Sequence, residues 1–308
     1  MYAWEAVNQS LNYIEKHLKE DIPTEYLADS VGLSHFYFQR LFKRLVKKPV
    51  QEYIKLRRLA KVIPILNDSD QRLLDIALEY GFSSHANFTR AFKETYGITP
   101  EDYRKTSRTL NNFEKPELSM DYILIEEGVP LIAGNIVLEI GRRTLKQPEI
   151  YLGFETEIRI SEQVPLGENT GIDVPGQLWC QYHHEKEAIA PHLKNGTEMG
   201  MSYSANPEQG TFTYFAGGFA ETVPEKMGNG FVKNELSAGE YIVCRIEAES
   251  FEELVTTALV QANKYLFQTW LPSHELVTEP FAAEKYYLDI KDINCMEIWV
   301  RPLVSKRV

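Results

Sequence analysis

The sequence lacks several features that would each point to a different class of protein. None of its 308 residues form an apolar run near the roughly 18 residues that a membrane helix needs, and MYAWEAVNQS does not resemble a signal peptide. The three cysteines are scattered and odd in number, which favours buried thiols in a reducing compartment over a disulfide framework. We therefore expect a cytoplasmic protein, with two domains from its length.

The sequence also lacks the common signatures of catalysis and cofactor binding. It has no Gly-x-Ser-x-Gly elbow, and the glycines at 217–218 and 228–230 are typical of turns, because neither group follows a strand and opens a helix. His183, His184 and His192 have no carboxylate or thiol at ligand spacing, so a solvated helix end is favoured over a metal site. We predict no catalytic residue, no cofactor and no metal.

Positive charge is scarce overall but is concentrated in one part of the chain. The net charge is −11, yet residues 1–108 hold 17 basic and 14 acidic residues, a net charge of +3, while residues 109–308 have a net charge of −14. Residues 34–62 contain nine basic residues and one acidic residue, Glu52. The first third of the chain could therefore present a basic surface, although a solvated helix face is the simpler interpretation of such a run.

This first third contains an internal repeat. Residues 34–48 read SHFYFQRLFKRLVKK, and residues 83–97 read SSHANFTRAFKETYG. An offset of 49 relates Ala28, Gly32 and Ser34 to Ala77, Gly81 and Ser83. An offset of 50 relates Phe38, Arg40, Phe42, Lys43 and Tyr53 to Phe88, Arg90, Phe92, Lys93 and Tyr103. The second copy thus has one extra residue just after its turn.

Each copy has the pattern of a helix-turn-helix motif. In the first, Thr24 is predicted to cap a helix over 25–31, Gly32 to end it, and Ser34 to cap a second helix. That second helix has an apolar stripe at i, i+3, i+4 and i+7 spacing: Phe38, Leu41, Phe42 and Leu45. The segment VQEYIKLRRLAKVIPIL is predicted to be a connecting helix that Pro64 kinks or crowds near its C-terminal end.

Two such motifs at a fixed separation suit DNA. The second helix of the motif fits the major groove, and a connecting helix of about 16 residues is roughly 24 Å long. The pair could therefore enter successive major grooves, about 34 Å apart. The alternative is a helical bundle without a DNA role, which would need the repeated phenylalanines but not the repeated Arg and Lys.

Residues 8–107 resemble the DNA-binding domain of the AraC/XylS family of transcriptional regulators. The resemblance rests on AxxxGxS…FxRxFK, the link EYIKLRRLAKV and the stretch IALEYGFSSHANFTRAFKETYGITPEDYRK. It implies base contacts from the exposed first two turns of each recognition helix, at Phe36, Gln39, Arg40, His85, Ala86, Asn87, Thr89 and Arg90. The other basic residues are expected to contact phosphates, or simply to keep the helix face soluble: Lys43, Lys47, Lys48, Arg57, Arg58 and Lys93.

Past residue 108 the pattern changes. Residues 109–119 are polar and are predicted to be a linker. Alternating stretches then predict strands: YILIEEG, LIAGNIVLEI, FETEIRI, GMSYSA, FTYFAGGF, EYIVCRIEA, KYYLDI and MEIWVRP. Helices are predicted at about 175–189 and 251–269. We therefore predict a multi-domain chain, with an all-α domain over 1–108 and an α+β domain over 120–308 in which a β-α-β-β layout occurs twice.

The second half resembles the GyrI-like effector-binding domain. The resemblance rests on QLWCQY, ELSAGEYIVCRIEA, LPSHELV and PFAAEKYYLDI…MEIWVRP, and it covers about residues 120–302. It implies ligand-facing acids at Glu284 and Glu297 and aromatic walls at Trp299, Trp179, Tyr203 and Tyr214. A carboxylate in an aromatic-walled cavity attracts a cation. The alternative is that Glu297 points outward on an edge strand and that the aromatic residues are ordinary core.

These features predict a ligand-responsive transcriptional regulator and no enzyme. Its expected partners are double-stranded promoter DNA, a small hydrophobic effector that would be cationic if the carboxylates face it, and RNA polymerase as a further candidate. Two alternatives for the C-terminal half stay open at this point, a small-molecule hydrolase using a carboxylate pair and a module that docks a protein partner.

Overall fold

A computed structural model describes residues 3–68, 71–106, 108–121, 123–133, 135–160, 170–228, 230–290 and 294–303. These residues form two compact units. The first contains the described residues up to 121 together with 170–173, and the second contains the remaining ones. No described helix is long and apolar enough to cross a bilayer.

The first unit is helical, as predicted. Its helices are α1 (Ala3–Lys16), α2 (Thr24–Ser30), α3 (His35–Val46), α4 (Val50–Asp68), α5 (Leu73–Glu79), α6 (His85–Tyr96) and α7 (Pro100–Thr106). The pairs α2–α3 and α5–α6 are the two helix-turn-helix motifs, and α4 is the connecting helix. The predicted pair of motifs joined by one helix is therefore confirmed.

Serine begins both recognition helices. The Ser34 hydroxyl accepts a hydrogen bond from the Tyr37 amide at 3.4 Å, and the Ser84 hydroxyl accepts one from the Asn87 amide at 3.2 Å. Each bond satisfies one of the amides that a helix N-terminus leaves without an intrahelical partner. The predicted cap at Ser34 is confirmed, and in the second motif the cap is Ser84, one residue after the Ser83 that the repeat relates to Ser34.

At the start of α2, one local detail differs from the sequence-based expectation. Thr24 was predicted to cap α2, but Pro23 occupies the capping position and Thr24 is buried in the first turn, where its hydroxyl accepts from Gln51 at 3.0 Å. The helix α4 continues to Asp68, four residues past Pro64. Thr24 thus connects α2 to α4 instead of capping the N-terminus of α2.

The two motifs have separate hydrophobic cores. The first core includes Val7, Leu11, Phe38, Phe42, Tyr53 and Leu56, and the second includes Leu59, Val62, Ile76, Phe88, Phe92 and Tyr103. Helix α4 contributes to the first core up to Leu56 and to the second from Leu59 onward. Arg57 and Arg58 therefore lie at the boundary between the two cores.

The segment predicted to be a linker packs on the helical unit. Leu110 is buried in the second core, and Phe113 and Leu118 are buried in the first. The Tyr96 hydroxyl also donates to the Asn112 side chain at 3.0 Å. The polar composition of residues 109–119 concealed these spaced apolar anchors, which make much of the segment part of the helical packing.

The second unit is built on an antiparallel sheet of nine strands. They are β2 (Leu131–Ala133), β3 (Ile136–Leu145), β4 (Glu149–Arg159), β6 (Leu193–Asn206), β7 (Thr211–Ala220), β8 (Val232–Leu236), β9 (Gly239–Ala248), β10 (Ala282–Tyr287) and β11 (Asn294–Val300). Their order in the sheet is β2-β3-β9-β11-β10-β6-β7-β4-β8. The short strands β1 (Leu110–Asn111) and β5 (Gly171–Ile172) pair with each other in the first unit.

The sheet consists of two similar halves that meet between β10 and β6. The first half runs β4, α8 (Val174–Glu185), β6, β7, and the second runs β9, a helix over 251–273, β10, β11. In the sheet they appear as β4-β7-β6 and β10-β11-β9, so the β6–β10 pairing lies at a pseudo-twofold axis. The predicted duplicated β-α-β-β layout is confirmed.

One predicted strand is absent, and the strands β1, β5 and β8 were not predicted. Residues 123–128 of the stretch YILIEEG form no strand. The Tyr265 hydroxyl bonds to the Ile123 carbonyl and the Ile125 amide, and the Trp270 indole donates to the Ile125 carbonyl, so helix side chains take the place of a neighbouring strand. The charged edge strand β8 was not predicted, because VKNEL lacks a long apolar alternation.

Candidate functional site

The two recognition helices expose most of the residues predicted to contact bases. Phe36 is 77% exposed, which is unusual for a phenylalanine. The other exposed residues of this set are Gln39, Arg40, His85, Ala86 and Arg90, while Asn87 is half-buried. Thr89 differs, because its hydroxyl oxygen is buried and unavailable to a base. Fewer side chains of α6 are thus available for base contacts than predicted.

In α3 the polar side chains at the tip are already organised. The Gln39 amide lies 2.9 Å from His35 Nε2, and that ring nitrogen lies 3.5 Å from the Glu25 carboxylate. A side chain held in this way loses less conformational entropy when it binds. Arg40 lies one residue beyond Gln39 and is exposed, so Gln39 and Arg40 could form bidentate contacts with adenine and guanine.

The residues predicted to contact phosphates divide into exposed or half-buried lysines and two arginines that bond to other parts of the protein. Lys43, Lys47 and Lys93 are exposed, and Lys48 is half-buried with its amine 5.8 Å from the Phe113 ring. These lysines could approach a DNA backbone.

Arg57 does not fit the phosphate contact predicted for it. It is 5% exposed, and its guanidinium binds the Glu15 carboxylate at 2.9 and 3.0 Å, the Phe113 carbonyl and Glu114. Burial alone would lower the pKa of Arg57, but the hydrogen bonds that Arg57 donates to Glu15 outweigh burial and raise it. Arg57 therefore joins α1, α4 and the segment after α7 instead of reaching DNA.

Arg58 is also turned toward the protein. It donates to the carbonyl oxygens of Leu18 at 2.8 Å, Glu20 at 2.6 Å and Gly81 at 3.2 Å. A guanidinium that bonds three backbone oxygens has little capacity left for a phosphate. The basic appearance of LRRLAK in the sequence is therefore misleading, since both arginines act inside the fold.

The residues predicted to line the effector pocket lie on opposite faces of the sheet. Residues paired across strands share a face, and successive residues of one strand alternate between faces. Glu284 pairs with Ile298, whereas Glu297 pairs with Lys285, so the two carboxylates point in opposite directions. Tyr214 and Trp179 lie on the Glu284 side, and Trp299 and Tyr203 lie on the other. One pocket containing all six residues is therefore excluded.

On the helix-covered face, four side chains form a connected group that we name the Glu284 cage: Glu284, Tyr214, Tyr286 and Trp179. The Trp179 indole donates to the Tyr214 hydroxyl at 3.1 Å, which donates to Glu284 Oε2 at 3.4 Å. The Tyr286 hydroxyl donates to the same oxygen at 3.0 Å, and the Trp179 and Tyr286 rings meet edge to face at 5.5 Å. One carboxylate is thus oriented by hydroxyl groups within aromatic walls.

A glycine makes room for this cage. Gly200 of β6 pairs directly with Glu284 of β10, at the junction of the two halves of the sheet. A Cβ atom at position 200 would lie 2.3 Å from the Tyr214 hydroxyl and 3.3 Å from Glu284 Oε2. The cage therefore depends on the absence of a side chain here. Gly200 and Tyr286 were not predicted as site residues, although period two from Glu284 places Tyr286 on the same face.

Next to the cage, a second carboxylate is fully paired. Glu198 is buried and accepts from His183 at 2.8 Å and from Lys186 at 3.0 Å. Burial alone would raise the pKa of Glu198, but hydrogen bonds from His183 and Lys186 hold it below its usual range. His183 thus has a carboxylate partner that the sequence did not reveal. Among the described residues no group of three His, Cys, Asp or Glu side chains could hold a metal ion.

On the opposite face, Glu297 is part of a buried ionic cluster. It is 1% exposed, pairs with Arg143 at 2.8 Å, and accepts from Tyr287 at 2.7 Å and from the Trp299 indole at 2.9 Å. The Lys285 amine lies 4.7 Å from the Trp299 ring centre. These partners compensate the charge of Glu297 without a ligand, so its predicted role as a ligand-facing acid is not supported.

Comparisons with known proteins agree with both halves of this description. A helix-turn-helix domain family matches residues 27–106, and the GyrI-like small molecule binding domain family matches residues 146–301. The right origin-binding protein of Escherichia coli is 36% identical over 246 residues, 78% of each chain. The transcriptional regulator Rob of Salmonella typhimurium is 26% identical over the same share. The HTH-type transcriptional regulator YbfP of Bacillus subtilis is 43% identical over 104 residues, which span 34% of this chain and 35% of that protein.

Proposed function

Because the chain belongs to the AraC/XylS family of transcriptional regulators and carries a GyrI-like small-molecule binding domain, we propose that a hydrophobic cation bound in the Glu284 cage controls its binding to promoter DNA. The protein is a DNA-binding transcriptional regulator with a small-molecule domain. The proposal concerns the chemistry of the effector, the residues that bind it and the residues that contact DNA.

The DNA side of the proposal rests on the exposed tips of α3 and α6. Gln39, Arg40 and Arg90 offer planar donor groups for base edges, and Phe36 and Ala86 offer apolar contacts for thymine methyl groups or sugars. Lys43, Lys47 and Lys93 would bind phosphates on either side. Arg57, Arg58 and Thr89 are left out, because their polar atoms point into the fold.

The effector side rests on one observation, the Glu284 carboxylate oriented by two tyrosine hydroxyls inside aromatic walls. A carboxylate attracts a positive charge, and aromatic ring faces attract it further while they bury apolar substituents. A neutral hydrophobic molecule would gain only the second contribution. Binding can shift the DNA-binding equilibrium only if the cation prefers one arrangement of the protein over another.

A pair of isosteric probes tests the proposed charge preference. Benzyltrimethylammonium and its neutral isostere 2,2-dimethylpropylbenzene have the same shape, so calorimetry with each isolates the contribution of charge. We expect the cation to bind at least about tenfold more tightly, or about 1.4 kcal/mol. Glu284→Gln should remove this difference. The matched control is Glu240→Gln, which changes charge equally at an exposed position of β9.

We infer that the small-molecule domain acts by binding rather than by turnover. The Glu284 cage has one carboxylate, and the neighbouring Glu198 is held by His183 and Lys186, so no second carboxylate is set up as a partner acid or base. Conversion of the bound cation to a product, abolished by Glu284→Gln, would overturn this inference.

A promoter-bound regulator acts beside RNA polymerase in the cytoplasm, so polymerase is a candidate partner.

A further inference from the structure

The two recognition helices can read one DNA site only if their separation is controlled. Their hydrophobic cores are separate, so within the described residues no shared apolar cluster sets the angle between the motifs. Helix α4 and the segment with Leu110 and Phe113 connect the cores. A polar connection also joins the two motifs, through Arg58 at the boundary between the cores.

Arg58 bonds three backbone carbonyl oxygens that belong to two segments of the chain. Its Nε donates to the Leu18 carbonyl at 2.8 Å and one terminal nitrogen donates to the Glu20 carbonyl at 2.6 Å, both in the loop after α1. The other terminal nitrogen donates to the Gly81 carbonyl at 3.2 Å, in the turn of the second motif. Since the guanidinium is planar and rigid, these bonds fix the position of that turn relative to the first motif.

A second pair joins the same two segments. The Lys19 amine binds the Glu79 carboxylate and lies 5.2 Å from the centre of the Tyr80 ring. Both partners of this ion pair are largely exposed, so its own contribution is small. This ion pair shows that the loop after α1 contacts the end of α5 as well as the Gly81 turn.

Gly81 allows the guanidinium to approach. A Cβ atom at position 81 would lie 2.6–2.8 Å from three atoms of the Arg58 guanidinium. The equivalent glycine of the first motif, Gly32, has nothing within 4 Å of such an atom. The two repeated turns therefore differ in their surroundings, because an arginine of α4 reaches the Gly81 turn and no described atom lies that close to Gly32.

We propose that Arg58 is a specificity-determining residue that never touches DNA: by holding the Gly81 turn against the loop after α1, it fixes the number of base pairs between the two half-sites that the protein accepts. The inference depends on both recognition helices reading the same DNA. Its consequence is that disturbing Arg58 should change the tolerated spacing more than the bases preferred within each half-site.

The repeat itself supplies a matched pair of variants. Gly81→Ala and Gly32→Ala both place alanine in the left-handed region, at φ +72° and +69°, so the backbone strain is nearly equal. Only Gly81→Ala displaces the guanidinium. The displacement should not prevent folding, because the colliding group is the end of a flexible side chain beside a cleft of about 340 Å³ lined in part by Asp21 and Gln39.

The experiment measures affinity against half-site spacing with the full-length protein. Wild-type protein first selects its preferred site from random DNA, and that site is then remade with one base pair inserted or deleted between the half-sites. We expect the change to weaken wild-type and Gly32→Ala binding about tenfold, similar to one mismatched base pair, and to weaken Gly81→Ala binding less than about threefold. Arg58→Met, which keeps the aliphatic stem, should behave like Gly81→Ala.

The possible outcomes separate the inference from its premise. If Gly81→Ala and Arg58→Met keep the wild-type spacing profile, or if Gly32→Ala changes it as much, Arg58 does not set the spacing. If wild-type protein binds every spacing equally, the two helices do not read DNA jointly and the inference fails with its premise. Thermal unfolding of each variant checks that it is folded, and Arg58→Met carries the test alone if Gly81→Ala is not.

Discussion

Glu284 and Gly200 face each other across the junction of the two half-sheets, and the carboxylate can share its space with the Tyr214 hydroxyl only because Gly200 has no side chain. Each half of the duplicated domain contributes one strand to this pair. The candidate effector cage therefore exists only when both halves are packed together, although every half contains its own helix and strands.

Gly200→Ala should damage the cage without damaging the sheet. The added methyl group would lie 2.3 Å from the Tyr214 hydroxyl, so that ring must move away from Glu284. We expect binding of benzyltrimethylammonium to weaken about tenfold, or about 1.4 kcal/mol, in calorimetry. The control is Gly141→Ala in β3, where nothing lies within 4 Å of the new atom. Equal effects of the two variants would argue against the assigned site.

Glu297→Gln should lower the stability of the fold and leave the affinity for the cation nearly unchanged. The change weakens the ion pair between the buried Glu297 and the half-exposed Arg143, and the bonds from Tyr287 and Trp299. We expect this to cost about 1–3 kcal/mol of unfolding free energy. Cation affinity at the opposite face should stay within about twofold, measured under conditions where the variant is folded. A large loss of affinity with unchanged stability would restore the original prediction that Glu297 faces the ligand.

Arg40→Ala and Arg90→Ala should each weaken specific DNA binding by about 1–3 kcal/mol. Both side chains are exposed on recognition helices, and a bidentate contact to guanine would be lost. We expect Arg40→Ala to cost more, because α3 is followed by the basic residues Lys47 and Lys48, whereas α6 carries Glu94. Titrations on the selected site and on random DNA decide this. Equal weakening on both DNAs would reassign the arginines to phosphate contacts.

Glu15→Gln should destabilise the helical unit. Glu15 binds the buried Arg57 through two hydrogen bonds and also accepts from Tyr53 at 2.8 Å. Removing one charge of a buried pair leaves the other without full compensation, which we expect to cost about 3 kcal/mol in urea unfolding at neutral pH. Glu94→Gln, at an exposed position of α6, is the control for loss of a negative charge.

The same pair predicts how stability depends on pH. Burial alone would raise the pKa of Glu15, but hydrogen bonds from Arg57 and Tyr53 outweigh it and lower the pKa. A carboxylate with a lowered pKa stabilises the fold above its unfolded pKa of about 4.3, and this contribution is lost as the pH falls through the lower folded value. The stability difference between wild type and Glu15→Gln should therefore shrink on acidification below about pH 5. A difference that stays constant down to pH 3 would contradict this explanation.

Local patterns predicted much of the fold. The repeated Phe-x-Arg-x-Phe-Lys, the turn glycines and Ser34 located the helix-turn-helix motifs, since a helix is set by interactions within a few residues. The strand at 123–128 was predicted wrongly for the same reason. Its alternation is real, but Tyr265 and Trp270, some 140 residues away, take its backbone hydrogen bonds.

For the candidate sites, the sequence predicted which residue types take part, but it did not predict which face of the sheet each side chain lies on. Glu284, Trp179 and Tyr214 were identified and do meet, whereas Glu297, Trp299 and Tyr203 lie on the far face. Strand register decides this, because a shift of one residue reverses every side chain. That register depends on pairing between segments distant in the chain.

By itself the sequence determined the family, the two helix-turn-helix motifs and the duplicated small-molecule domain, because these follow from short-range spacing and residue type. Only the tertiary structure decided which charges are available. Arg57, Arg58 and Glu297 look in the sequence like groups for DNA or ligand, yet their partners Glu15, Gly81 and Arg143 hold them inside the fold. A buried charge that is already paired with an opposite charge of its own protein has little left to offer a ligand. Which charges are paired depends on contacts between residues far apart in the chain.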